Sequence, residues 1–197
     1  DVWYPMSAIT LEASELGSLL TPQDREQVAL YITLWDGRDS YSKVTKHSGS
    51  DMVEAPWINM IAGTTPNWIA DNMPRATIGG GLTSRIVFVF GDQKEKFIAL
   101  VDEFVDPTDH TTADKLVADL EHIAQKVCGP FTITPAARAW ERARYEHFWR
   151  VESLAMNSNL LEGYAARKQT HIFKTAMILS VSRSDSRQIE VEDLQLA

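Results

Sequence analysis

Residues 57–69 read WINMIAGTTPNWI, an apolar run that stops abruptly in Thr64, Thr65, Pro66 and Asn67. Two chemistries fit such an ending. Hydroxyls at the tip of a buried strand can hydrogen-bond a nucleotide at the sheet edge, or Thr and Asn beside Pro can simply make a turn. A second polar tip is ASELGS at 13–18, where Glu15 follows the short strand-like run Ala8-Ile9-Thr10-Leu11 and Glu12 lies just before it. At a strand end both carboxylates have the alternative of being plain solvated side chains. Arg85 heads the apolar run RIVFVF at 85–90. A cation there needs a partner, and an ion pair within the chain is the ordinary reason. Between 38 and 50, Arg38, Lys43 and Lys46 stand against Asp39 alone, with His47 next to Lys46. That local basic balance suits salt-dependent phosphate contact, while a solvated loop is the plainer reading.

Other groupings carry less. Asp106, Asp109 and His110 in DPTDHTTAD match no metal-ligand spacing, and Asp and Thr before helices are commonly caps, so no metal site is expected. Cys128 has no evident His partner and reads as a buried free thiol near a helix end. Trp140, Tyr145, Phe148 and Trp149 alternate with Arg138, Arg142, Arg144 and Arg150. Such a helix can stack bases, but packed aromatics and solvated arginines are the preferred expectation.

The elements that position these residues come from periodicity and punctuation. The chain has 197 residues, 44% apolar and 23% charged, enough for one substantial domain with a normal core. A net charge of −8 argues against a protein that coats nucleic acid non-specifically. One cysteine cannot form an internal disulfide, which fits a reducing, cytoplasmic setting. No apolar run is long enough for a membrane span, and no secretory leader opens the chain. It begins DVWYPMSAIT without Met and reads like a piece of something longer.

Thr21-Pro22 is expected to start a helix carrying Val28, Tyr31, Ile32 and Trp35 on one face, stopped by Asp36-Gly37. Residues 38–54 alternate weakly, as a hairpin or long loop does. Strands are expected at 57–63 and, buried, at 85–90, separated by a turn-rich stretch and Gly79-Gly80-Gly81. Helices follow. KEKFIALVDEFV aligns Phe97, Leu100, Val101 and Phe104, and 111–129 aligns Leu116, Leu120, Ile123 and Val127. Another starts at Thr134-Pro135, one covers 163–182, and a short acidic-capped helix closes the chain. Strands in the first part and helices in the second give an α/β fold divided near 105 into 1–105 and 106–197.

The order of these motifs, above all NMIAGTTPNWI, GGGLTSRIVFVFG and YAARKQTHIFKTAMIL, resembles the second half of an AAA+ ATPase core followed by a helical lid. More narrowly it resembles the superfamily 3-like helicase domain of phage, plasmid and mobile-element primase-helicase proteins, over most of the chain. The resemblance implies roles. Glu15 matches the Walker B acid that activates water or holds magnesium, with Ser14 where an Asp is usual and Glu12 as the competing candidate. Thr65 matches the γ-phosphate sensor at a strand tip, with Thr64 as its neighbour. Arg85 matches an arginine finger acting on the next subunit, which implies a homo-oligomeric ring. Arg167, or the adjacent Lys168, matches the lid arginine that reaches phosphates within its own subunit. Lys46 and His47 resemble the Lys-His tip of a hairpin that grips single-stranded DNA, with Lys43 adding charge.

An ATPase of this kind also needs G-x-x-x-x-G-K-[ST]. The chain lacks it, and Gly79-Gly80-Gly81 precedes a run of strand character rather than a helix. The resemblance therefore implies a P-loop upstream of Asp1, with ATP and Mg2+ depending on it, and little turnover by the chain alone. A non-catalytic DNA-binding or assembly module with the same fold is the alternative.

Overall fold

The computed structural model describes residues 6–37, 40–45, 49–73, 75–79, 81–94, 96–100, 110–153 and 161–197. The fold is mixed α/β, and its contacts divide it into two units. The first comprises the described residues of 1–87 and 157–167, the second those of 88–156 and 168–197.

In the first unit β1 (Ser7–Ala13) pairs in parallel with β4 (Pro56–Ala62), in the register Ile9↔Ile58, Leu11↔Met60 and Ala13↔Ala62. The helix α1 (Arg25–Trp35) crosses over between them. It starts later than Thr21-Pro22 predicts. Asp24 is the cap, its carboxylate accepting from the backbone N–H of Glu26 and of Gln27. Val28, Tyr31 and Ile32 then pack with Met60, Ala62 and the buried Leu16, Leu20, Met73 and Leu82. Each of these four side chains contributes about 2 kcal/mol of burial. The expected hairpin forms as β2 (Ser40–Thr45) against β3 (Gly49–Glu54), with Thr45 opposite Gly49. Beyond β4, two short helices, α2 (Pro66–Asn72) and α3 (Arg75–Gly79), occupy the stretch that reads as turns.

Two expectations fail here. Residues 86–90 form no strand, and Val89 and Phe90 are 92% and 75% exposed. A strand needs a neighbour for its ladder of hydrogen bonds, and among the described residues none pairs with this run. The helix expected over 94–105 is absent from its described part, 96–100; residues 95 and 101–105 lie outside the described residues. Phe97 is 89% exposed, so this stretch lacks the packed face from which a short helix draws most of its stability.

The second unit is built from α4 (Thr111–Lys126), β5 (Thr132–Ile133), α5 (Pro135–His147), a π-turn over Phe148–Glu152, α6 (Glu162–Arg183), β6 (Gln188–Ile189) and α7 (Val191–Leu196). The first turn of α6, to Arg167, belongs to the first unit. Thr134 caps α5 as its sequence predicts, accepting from the Ala137 N–H, with Pro135 at the first helical position. The core joins Ala137, Ile172, Ala176, Ile189 and Leu194, with Trp140 and Phe173 packed on it. Ser180, fully buried, donates to the Gln188 carbonyl at 2.8 Å. Asp193 and Glu190 cap α7 reciprocally. Asp193 also takes two hydrogen bonds from Arg183, at 3.2 and 2.9 Å. Cys128 is exposed rather than buried, and the stripe of α4 is open to solvent at Leu116 and Leu120. Among the described residues no helix is long and apolar enough to cross a membrane.

Candidate functional site

The parallel register of β1 and β4 brings their C-terminal ends side by side. The Gly63 N–H donates to the Ala13 carbonyl at 3.1 Å, and the Leu16 N–H donates to the Gly63 carbonyl at 2.7 Å. Ser14-Glu15 and Thr64-Thr65 therefore leave the sheet from neighbouring tips. Open α/β sheets bind ligands outside the carboxyl ends of their strands, at a switch in strand order; the two described strands here share that end of the sheet. Gly63 permits the approach: a Cβ there would lie 2.5 Å from the Ser14 carbonyl oxygen. Gly17 sits likewise under the Trp68 indole, whose Nε1 lies 2.9 Å from where a Cβ would be.

The predicted residues that lie among the described ones have the following settings. The Glu15 carboxylate is exposed and has no hydrogen-bond or ion-pair partner among the described residues. Glu12 is exposed on β1, opposite Ile61. Thr65 caps α2, its hydroxyl oxygen accepting from the Trp68 N–H at 3.2 Å, which is the turn-making role weighed for it from sequence. The hydroxyl proton remains available as a donor. Thr64 is exposed beside it.

Arg85 ends a 3-10 turn, Thr83–Arg85, rather than heading a strand. Its guanidinium is engaged within the chain. Nε and Nη2 grip Asp36 at 3.0, 2.7 and 2.9 Å, Nη1 donates to the Gly81 carbonyl at 2.8 Å, and the Trp35 ring lies 5.3 Å away. The side chain is 7% exposed, so reaching another subunit requires releasing Asp36. The Arg167 guanidinium donates through Nη1 to the Gly163 carbonyl at 3.3 Å, its one side-chain hydrogen bond among the described residues. Lys168, in the second unit, pairs with Glu152 at 3.3 Å and lies over the Phe148 ring. Lys43 pairs with Glu26 at 3.6 Å, with both side chains exposed. Lys46, His47 and Arg38 lie outside the described residues, as do Asp106 and Asp109. The described residues hold no His, Cys, Asp and Glu cluster suited to a metal.

The backbone thus brings Glu15, Thr64 and Thr65 to adjacent strand tips, where all three are exposed. The site residues that sequence reasoning missed are Asp36, read only as a helix stop, and Gly63, read only as the last strand residue. A glycine closing one apolar strand beside a Ser-Glu closing another was the available signal for Gly63. No family model matches the chain, and no curated protein or solved structure matches it.

Proposed function

We propose that the chain is the C-terminal part of an ATP-dependent DNA helicase or primase-helicase of mobile-element type. It would supply the acid and sensor side of a nucleotide site whose P-loop is carried upstream. The observation that carries this reading is the pairing of β1 with β4, which sets Glu15 and Thr65 at adjacent strand tips. A Walker-type site needs an acid and a polar sensor on neighbouring parallel strands. The sheet itself adds support. Parallel sheets are almost always covered on both faces, and isolated pairs of strands are marginal. Here the outward row Thr10, Glu12, Trp57, Asn59 and Ile61 stays exposed, with Ile61 at 66%. An upstream half of the ATPase core would extend and cover it.

In this mechanism Glu15 orients the attacking water, Thr65 donates to the γ-phosphate, and Arg167 stabilises charge. ATP and Mg2+ bind through the upstream P-loop, and subunits of a ring drive the 38–54 hairpins along single-stranded DNA. A second reading draws on the engagement of Arg85 by Asp36 and of Thr65 as a cap. Both residues have structural work, as a non-catalytic DNA-binding or assembly module requires. The reading frame 5′ of the Asp1 codon separates the two. A strand followed by G-x-x-x-x-G-K-[ST] within roughly one hundred residues supports the helicase; its absence moves the module ahead.

A further inference from the structure

The second unit contains an open cleft of about 270 Å3 between α5 and α6, lined by Arg138, Glu141, Arg142, Tyr145, Gln169 and Phe173. Its charges are not balanced internally. Glu141 is 5% exposed, and its carboxylate is gripped by Nε and Nη2 of Arg144 at 2.6 Å each, with Gln169 Nε2 at 3.4 Å. Its hydrogen bonds to Glu141, with the charges of Glu141 and Glu152, hold the Arg144 guanidinium above its ordinary pKa against the opposing effect of burial. The single acid of the cleft is therefore fully committed. Arg138 and Arg142, one helical turn apart on α5, are both exposed, and their guanidinium groups make no hydrogen bond or ion pair among the described residues. Like charges at that spacing destabilise a helix, and an anion between them relieves the repulsion.

The walls define the rest of the ligand. Phe173 is partly buried against the core, and Tyr145 is 39% exposed with its ring held edge-to-face by Trp149. Gln169 adds an amide with donor and acceptor. Guanidinium pairs beside aromatic faces are the elements that hold successive nucleotides of a single strand, through phosphate contact and base stacking. The cleft is slightly smaller than pockets for drug-sized ligands, which start near about 300 Å3, so it suits one nucleotide unit of a strand rather than a large cofactor.

We propose that this cleft is a single-stranded nucleic-acid subsite, with Arg138 and Arg142 on phosphate and Tyr145 and Phe173 against a base. All of its residues belong to the second unit. Failure to turn over ATP leaves it standing.

The test is fluorescence anisotropy of a labelled oligothymidylate of about twelve nucleotides, titrated with the chain between about 50 and 200 mM salt. The R138A/R142A double variant should bind at least roughly tenfold more weakly. Its log–log salt slope should fall by roughly 1.4, since each single-strand phosphate contributes about 0.7. Tyr145→Ala should cost roughly fivefold or more at unchanged slope, as loss of one stacking face does. Arg150→Ala, outside the cleft and 3.7 Å from Glu146, should leave affinity and slope unchanged. Both cleft arginines are exposed and unpaired, so the double variant should keep its thermal unfolding midpoint. Wild-type affinity and slope in a folded double variant overturn the proposal. So does displacement of the strand by free thymidine monophosphate, or by a polyglutamate peptide, as effectively as by unlabelled strand. Those results would assign the cleft to a mononucleotide or to an acidic peptide.

Discussion

Both units contain a parallel pair of strands, β1–β4 in the first and β5–β6 in the second, and the two pairs have opposite surroundings. The short second pair is enclosed. Ile189 is 3% exposed and packs with Ala137, Ile172, Ala176 and Leu194 from three helices. The long first pair is packed on one side by α1 and leaves Trp57 and Ile61 about half and two thirds exposed, at 48% and 66%. Strand length is therefore not what makes a parallel pair self-sufficient here. The second unit has helices to place on its pair, and the first presents an apolar face and a polar edge at the same sheet. Under the proposed function the face and the edge are one feature: an upstream half would cover the sheet and complete the nucleotide site together.

The contrast yields graded expectations. Leu194→Ala, at 2% exposure, should cost about 3 kcal/mol in urea unfolding, because the enclosed core cannot collapse freely around the gap. Asp36→Ala should cost about 2 kcal/mol through the stranded Arg85 guanidinium, read by the same method. A fall within 0.5 kcal/mol would show that Arg85 is loosely held and free for other work.

Acid titration probes the second unit. Burial alone raises the Asp193 carboxyl, but hydrogen bonds from Arg183 and from the Glu190 backbone N–H, together with the Arg183 charge, bring it below its ordinary value. A carboxyl lowered on folding adds stability above its unfolded pKa of about 3.9 and loses that contribution as pH falls through the folded value. Asp193→Asn should therefore be less stable at neutral pH, and its deficit should shrink below about pH 4. A constant deficit across pH would mean the loss is of shape rather than charge.

The smallest effect is the most instructive. Ile61→Ala should change the stability of the chain by less than about 0.5 kcal/mol, as surface changes do. In a longer protein carrying the proposed upstream half, the same change should cost about 2 kcal/mol. Equal small effects in both would break the idea that this face is covered.

What was legible in the sequence follows the range of the interactions involved. The hairpin or loop expected over 38–54, the strand ending before Thr64, the Thr134-Pro135 helix start and the helix over 163–182 all depend on near neighbours, and each has its counterpart among the described residues, though the last is not clearly two-faced. Residues 85–90 have the composition of a buried strand, but a strand is a pairing, and composition does not name a partner. The start of α1 was displaced because Thr21-Pro22 and Asp24 both offer caps, and only the Asp24 carboxylate meets two backbone N–H groups. At the candidate site, polar tips at Glu15 and Thr65 were legible, as was the need of Arg85 for a partner. That the partner is Asp36, 49 residues away, was not. The arginine-aromatic alternation of α5 was noticed as a pattern. Packing sorted it: Trp140 and Phe148 turn inward, Arg144 is bound by Glu141, and Arg138 and Arg142 are left open.

If the β1–β4 tips form one side of an ATP site, steady-state ATPase activity depends on Glu15. The protein should be expressed with the residues encoded upstream of Asp1 and assayed with single-stranded DNA, as wild type and as Glu15→Gln. The wild type should turn over ATP, and the variant should lose at least about a hundredfold of that rate while retaining nucleotide binding. Absence of turnover in the longer wild-type protein, or equal rates for the two, would contradict that role for the tips.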